Sequence, residues 1–252
     1  MTAIVLSNEK GGIAKTTTAS SLTAGFAELG FKVLGVDFDP QGNLSSSLGA
    51  EVYKSPTVYE LLKGEVKPEE AIQKLSNYDF IPANSMLAGA TQELQSEKDV
   101  YRLKTALAPI KEKYDYIVVD TGPSLGILTV NALTFADEVI IPTTAGIFSI
   151  EGMQKLHNTI SNVRAYCNAD LKVAGVLLTR FQGYTTVGSE LKAFTEQLAE
   201  HLDIHVYVQT IRNAVVVEAA QLNKKDIFAY APRSEVAEDY RRFIIEYLKR
   251  RL

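Results

Sequence analysis

The chain has 252 residues, 46% hydrophobic and 22% charged, with a formal net charge of -4. That is enough apolar material for one large core; no apolar run approaches the roughly 20 residues of a membrane-spanning helix, and a single cysteine, Cys167, excludes an internal disulfide and a cysteine-only metal site. An acidic chain also excludes overall basicity as the basis of nucleic-acid binding, so only a local patch could serve, with Arg180, Lys224, Lys225, Arg233, Arg241 and Arg242 as candidates. No repeat, low-complexity tract, linker or signal-peptide pattern interrupts the chain, so residues 1–252 are expected to form one cytoplasmic domain.

Residues 3–6 are a short apolar run, expected as a strand, and residues 16–29 carry a helical pattern. Between them residues 8–18 read Asn-Glu-Lys-Gly-Gly-Ile-Ala-Lys-Thr-Thr-Thr. A loop at a strand-to-helix turn offers peptide N–H groups and the positive end of a helix to phosphate oxygens. The cradle would run through Lys10, Gly11, Gly12, Ile13, Ala14, Lys15, Thr16 and Thr17. Lys15 would neutralise the outer phosphates and the Thr16 hydroxyl would ligate a bridging magnesium ion. Ala14 is an open point: left-handed backbone there would cost about 1 kcal/mol relative to glycine, and helical backbone little.

The apolar run 32–37 is the next expected strand, buried on both faces, and it ends in Asp37-Phe38-Asp39-Pro40-Gln41-Gly42-Asn43. Acidic groups at a strand's carboxyl end beside the phosphate loop face the crevice where α/β sheets bind ligands; Asp37 is expected to support a magnesium site from one shell out. Short helical pieces are expected at 58–62 and 69–75, a further apolar run at Phe80 and Ile81, and a helix over 101–111 with Leu103, Leu107 and Ile110 on one stripe. Residues 116–120 are a buried strand whose terminal Asp120 is the candidate to hold magnesium, so that Thr16, Asp39 and Asp120 form the expected metal side.

A helix over 125–136, a strand over 139–142, a helix over 150–167 and a strand over 173–179 follow. This alternation implies right-handed crossovers and a doubly wound, mainly parallel α/β sheet with helices on both faces. The last helix, 234–251, has a plausible cap in Ser234 and places Val236, Tyr240, Phe243, Ile244, Tyr247 and Leu248 on one face. That stripe reads as core-facing, with a membrane-docking helix as the alternative because Arg241, Arg242, Lys249, Arg250 and Arg251 lie beside it.

Lys10-Gly11-Gly12-x-x-Lys15-Thr16-Thr17 resembles the deviant Walker A loop, K-G-G-x-G-K-[ST]-T, of the ParA/MinD class of P-loop ATPases, with Ala14 at the second glycine. The D-x-D-P-Q-G-N string at 37–43, the stretch from Ile81 to Gly89, and Gln209 to Ala219 are similar to the same families. The resemblance implies a short ParA/Soj-type partition ATPase without a separate N-terminal DNA-binding domain. It implies ATP/ADP and Mg2+ as ligands, a nucleotide-sandwich homodimer with Lys10 reaching the other subunit's nucleotide, and slow turnover stimulated by a ParB-like partner. It further implies that Asp39 positions the attacking water and that Arg212 and Asn213 lie against adenine. Related P-loop proteins with an intersubunit iron–sulfur cluster are excluded by the cysteine count.

The chain departs from the family at Gly122 (proline in D-x-P-P), Gly146 (often glutamate) and Ile211 (proline). Tyr184 and Val215 stand where two DNA-holding arginines are expected, so non-specific DNA binding, and nucleoid association with it, would be weak or use another patch. The alternatives are a MinD-like membrane-associated positioning ATPase and a weakly hydrolysing nucleotide-binding regulator, the latter motivated by Ala14.

Overall fold

The structure, a computed structural model, describes residues 1–146, 149–181 and 186–251, and the side chains of all of these except 149–151, 186 and 187. In chain order the elements are β1 (Thr2–Leu6), α1 (Lys15–Glu28), β2 (Val33–Phe38), α2 (Asn43–Leu48), α3 (Val58–Lys63), α4 (Pro68–Ala71), β3 (Gln73–Leu75), β4 (Tyr78–Ile81), α5 (Leu87–Glu93) and α6 (Arg102–Leu107). Then come β5 (Tyr116–Thr121), α7 (Ile127–Phe135), β6 (Glu138–Thr143), α8 (Ser149–Tyr166), β7 (Lys172–Leu178), α9 (Thr186–His201), α10 (Val215–Leu222), α11 (Ile227–Tyr230) and α12 (Glu235–Lys249).

The strands form one seven-stranded sheet in the order β3-β4-β2-β5-β1-β6-β7. Every neighbouring pair is parallel except β3 with β4. The apolar runs at β1, β2 and β5 are what a strand covered on both faces requires. Side-chain alternation divides them: Ala3 and Val5 join a core with residues of α3, α6, α7 and α8, while Ile4 and Leu6 join a core with α1, α2, α11 and α12. From β1 the chain runs to β2 on one side, and after β5 it crosses over β1 to β6 on the other, so the strand order reverses at β1. The crevice at such a switch point is where the loop after β1 emerges.

Two helical expectations fail. Over 69–75, α4 stops at Ala71, and Gln73–Leu75 instead forms an edge strand antiparallel to β4 through the two-residue turn Ser76-Asn77, with Ser76 at φ 53. The strand's ladder bonds outweigh a helical pattern of so few residues. Over 101–111, α6 ends at Leu107 and short 3-10 turns flank it at Glu97–Tyr101 and Lys111–Lys113. Pro109, which lacks an N–H and obstructs the preceding turn, prevents a continuous helix; Leu103, Leu107 and Ile110 are nevertheless buried on one side.

The last helix faces the core. Val236, Tyr240, Phe243, Ile244 and Tyr247 are buried, and the Ser234 hydroxyl accepts the Ala237 N–H at 3.3 Å as its cap. Helix α1 is therefore enclosed between the sheet and α12, and its contact with α12 depends on Gly25. A Cβ there would lie 2.3 Å from Ile244 Cδ1 and 3.0 Å from Phe228 Cε2. Gly25→Val is expected to lower stability by about 2 kcal/mol through overpacking, and by less in an Ile244→Ala background, measured by urea unfolding.

Candidate functional site

The loop after β1 is shaped by two left-handed residues, Gly12 at φ 72 and Ala14 at φ 60. Ala14 therefore takes the conformation that costs about 1 kcal/mol more than for glycine. Its carbonyl is held by the Thr18 N–H at 2.9 Å and the Thr18 hydroxyl at 2.7 Å. The carbonyls of Gly12 and Ile13 turn towards β7, where they accept Arg180 Nη1 at 3.1 Å and Thr179 Oγ1 at 2.8 Å. Peptide planarity then points the following N–H groups the opposite way. Among the described residues, no protein acceptor takes the N–H of Gly12, Ile13 or Ala14. Lys15 is buried, and its ammonium donates to the carbonyls of Asn8 at 2.9 Å and Lys10 at 3.0 Å. Burial lowers its pKa, and the Asp120 and Asp39 carboxylates oppose that.

Strand register sets the acidic side: Asp37 on β2 and Leu6 on β1 each pair with Asp120 on β5. Asp37 is fully buried and accepts the Ser45 N–H at 2.8 Å, the Ser45 hydroxyl at 2.7 Å and the Asp39 N–H at 3.1 Å. Burial pushes its pKa up to about 6; the Ser45 and Asp39 hydrogen bonds act against this and the Asp39 charge with it. The Ser45 hydroxyl also accepts the Ala83 N–H at 2.9 Å, which gives the Ile81-to-Gly89 stretch a structural role beneath the site. Asp39 accepts the Gln41 N–H at 3.0 Å and lies against Gly122, where a Cβ would be 3.1 Å from its Oδ1.

Asp120 differs from both. It is fully buried, and neither carboxylate oxygen has a hydrogen-bond partner among the described residues. Burial pushes its pKa well above the usual carboxylate range and Asp37 adds to this. The Thr16 hydroxyl and the Lys15 ammonium favour the charged form from nearby, the hydroxyl without completing a hydrogen bond. A buried carboxylate with no donor, beside a loop with unclaimed N–H groups, fits a phosphate-bound divalent cation whose oxygen-ligand preference it matches.

The opposite wall is tied down by α12. Glu246 accepts the N–H groups of Val208 at 2.8 Å and Gln209 at 2.9 Å, while Asp239 accepts the Arg212 N–H at 3.1 Å and its Nε at 2.7 Å. Glu235 takes Arg212 Nη1. Asn213 accepts Arg180 Nε at 3.2 Å. Between the walls lies a cleft of about 780 Å³, lined by residues from Gly11 to Thr17, by Asp39, and by Arg212, Asn213 and Gln221. The sequence-predicted site residues thus gather around this cleft, but two do not line it: Asp120, which is fully buried with Thr16 and Lys15 nearby, and Lys10, whose ammonium has no partner among the described residues.

Sequence reasoning placed Arg180 only in a basic patch and missed Thr179. Both sit where β7 ends at the phosphate loop, a placement that no sequence spacing announces. Two of the six patch residues are paired with carboxylates: Arg241 with Glu28 at 2.9 Å and Arg242 with Glu238 at 3.1 Å. Val215 is 79% exposed at the start of α10, and Tyr184 lies outside the described residues.

Two stability changes follow for the protein without nucleotide or magnesium. Ala14→Gly is expected to raise stability by about 1 kcal/mol in urea unfolding. The Asp120 pKa is raised on folding, so its ionisation costs stability, and the cost grows as pH rises from the unfolded carboxylate value through the folded one. Asp120→Asn should therefore stabilise the protein by about 1–3 kcal/mol at pH 7 and make little difference at about pH 3.

The AAA domain family (AAA_31) matches residues 1–173. The sporulation initiation inhibitor protein Soj of Bacillus subtilis is 40% identical over 242 residues, 94% of each chain. The chromosome-partitioning ATPase Soj of Thermus thermophilus is 39% identical over 98% of this chain and 95% of its own. A Mycobacterium smegmatis structure described as cobyrinic acid a,c-diamide synthase with ADP and magnesium superposes with a TM-score of 0.86 at 35% identity, covering 99% of this chain and 95% of that one. An ATP complex of a Cyanothece McdA variant superposes with a TM-score of 0.87 at 25% identity, covering 99% and 96%. With the family match over residues 1–173, and 39–40% identity to Soj proteins over nearly the whole length, the chain belongs to the AAA_31 family and, within it, to the ParA/Soj-type partition ATPases.

Proposed function

We propose that this chain binds ATP with Mg2+ in the cleft, hydrolyses it, and uses the cycle of ATP and ADP states in DNA partitioning. The observation that carries the reading is Asp120, a fully buried carboxylate without a donor at the end of β5. Its neighbours are the Thr16 hydroxyl and the Lys15 ammonium. The relatives support the same reading: they include ATPases of chromosome partitioning and a Borrelia burgdorferi plasmid partition protein bound to AMPPNP.

Magnesium, when bound, would neutralise charge on the outer phosphates, with Thr16 and Asp120 as its holders. The N–H groups of Gly12, Ile13 and Ala14 orient the phosphates, and Lys15, already desolvated and fixed by two carbonyls, acts on them as a point charge. Asp39, held at its Oδ1 by the Gln41 N–H, is the group that orients water for attack on the γ-phosphate. Asn213 and the Arg212 backbone meet the base from the α12 side. Lys10, whose ammonium has no partner among the described residues, supplies it to the nucleotide of a second copy, making the active form a homodimer. Turnover is slow until a ParB-like partner completes the arrangement.

The membrane-positioning alternative loses its element, because the apolar face of α12 is buried against α1 and the sheet, and no described helix is long and apolar enough to cross a membrane. The non-hydrolysing regulator keeps Ala14 as its motive, since alanine holds the left-handed turn at a cost of about 1 kcal/mol; phosphate release by the unmodified chain above that of Asp39→Ala overturns it. With Arg241 and Arg242 paired to carboxylates and Val215 at a family arginine position, DNA contact falls to a few cations such as Lys224, Lys225 and Arg233, and its affinity is weak.

Titration of the purified protein with Mg-ATP is expected to show binding, and light scattering a shift from one copy to two; Lys10→Ala keeps the binding and loses the shift. Phosphate release should fall at least about a hundredfold in Asp39→Ala. A DNA-retention series at rising salt should show ATP-dependent binding that is lost steeply as salt increases. Failure to bind Mg-ATP overturns the reading, and retention independent of both nucleotide and salt overturns its DNA-partition part.

A further inference from the structure

Three consecutive residues at the end of β7 alternate between the two walls of the cleft. Thr179 Oγ1 donates to the Ile13 carbonyl at 2.8 Å on the phosphate side. The Phe181 N–H donates to the Ile211 carbonyl at 2.9 Å, and Phe181 forms a parallel bridge with Arg212, on the base side. Arg180 between them reaches both: Nη1 donates to the Gly12 carbonyl at 3.1 Å and Nε to Asn213 Oδ1 at 3.2 Å. It also lines the cleft.

The surroundings of Arg180 are unlike those of Arg212 and Arg241. Those two are matched by carboxylates, whereas among the described residues no carboxylate pairs with Arg180. Its backbone lies at φ 50, the left-handed region that a residue with a Cβ adopts only at a steric cost. Surrounding contacts must hold such a conformation in place, and residues of this kind cluster where a ligand is clamped. A planar guanidinium presents donors in a fixed fork and so can span two acceptors at set directions, which a lysine ammonium on a flexible stem cannot.

We infer that Arg180 is a positioning residue that locks the phosphate loop and the base-side loop in register, acting on the bound nucleotide through Gly12 and Asn213. Through Gly12 it keeps a peptide carbonyl turned away and the next N–H available. Through Asn213 it fixes the amide, because a neighbour that only donates must face the oxygen, leaving the Asn213 NH2 to the other side. The two ends of the nucleotide then meet walls already at the right separation, which lowers the cost of ordering on binding. This inference rests on the nucleotide reading of the cleft given above.

The test is a double-mutant cycle in Mg-ATP binding by calorimetry, using the full chain with Arg180→Met, Arg180→Lys, Asn213→Ala and the Arg180→Met/Asn213→Ala pair, with the melting temperature of each recorded. Arg180→Met is expected to weaken binding about tenfold, Arg180→Lys to weaken it nearly as much, and the pair to lose clearly less than the sum of the two single losses, the remainder of the Arg180 effect running through Gly12. Recovery in Arg180→Lys would show that charge suffices, and additive losses would show that Arg180 acts independently of Asn213; either result overturns the inference. Unchanged affinity in Arg180→Met, or losses that simply follow a lower melting temperature, also overturn it. Absence of binding by the unmodified chain removes the nucleotide reading itself, whereas binding with an insensitive Arg180 removes only this inference.

Discussion

The constraint on which the rest of the structure depends is a carboxylate that the fold desolvates without pairing. Asp120 ends a central strand covered on both faces, so water is excluded from it, and strand register sets a second buried carboxylate, Asp37, directly alongside. Desolvation of a charge with no hydrogen bond is among the largest local penalties a fold can carry. Ser45 meets that penalty for Asp37 through two hydrogen bonds, and nothing described meets it for Asp120. The same exclusion of water that makes the lone charge costly makes its attraction to a divalent cation strong, because the screening that would weaken the pair is missing.

A second consequence concerns α12. A phosphate cradle needs a stiff frame, and α12 provides it from behind through two kinds of contact. Its apolar face fixes α1 at the close approach permitted by Gly25, and the Tyr240 hydroxyl meets Thr18 Oγ1 at 3.2 Å in the first turns of α1. Its acidic side, through Glu235, Asp239 and Glu246, holds the chain from Val208 to Arg212 on the other wall of the cleft. One helix thereby sets the position of both walls. Its amphipathic pattern is accounted for inside the molecule and requires no lipid surface.

The central sheet and the acidic strand ends were legible in the sequence because strands covered on both faces leave uninterrupted apolar runs, and a polar residue closing such a run marks a strand's carboxyl end. Asp37 and Asp120 are of that kind. The edge strand Gln73–Leu75 left no such mark: two of its three residues are polar, and its existence depends on the partner supplied by β4. Pro109 was a legible breaker that the stripe of Leu103, Leu107 and Ile110 outweighed. Ala14 stood between two conformations until the backbone placed it at φ 60. Arg180 could not be read at all, because its role follows from where the end of β7 meets two loops distant in sequence.

Gly122 shows why departures from a family pattern are best judged by their neighbours. Taken alone, glycine for proline after the Asp120 strand loosens a turn. In the structure a Cβ at this position would stand 3.1 Å from Asp39 Oδ1 and 3.2 Å from its Cγ, closer than side chains ordinarily tolerate. Asp39 is 7% exposed and has settled into the space that the absent Cβ leaves. The two positions therefore form one packing unit across β2 and β5. A side chain at 122 would have to displace Asp39, so the residue two positions after the metal-side carboxylate governs where the second aspartate after β2 stands.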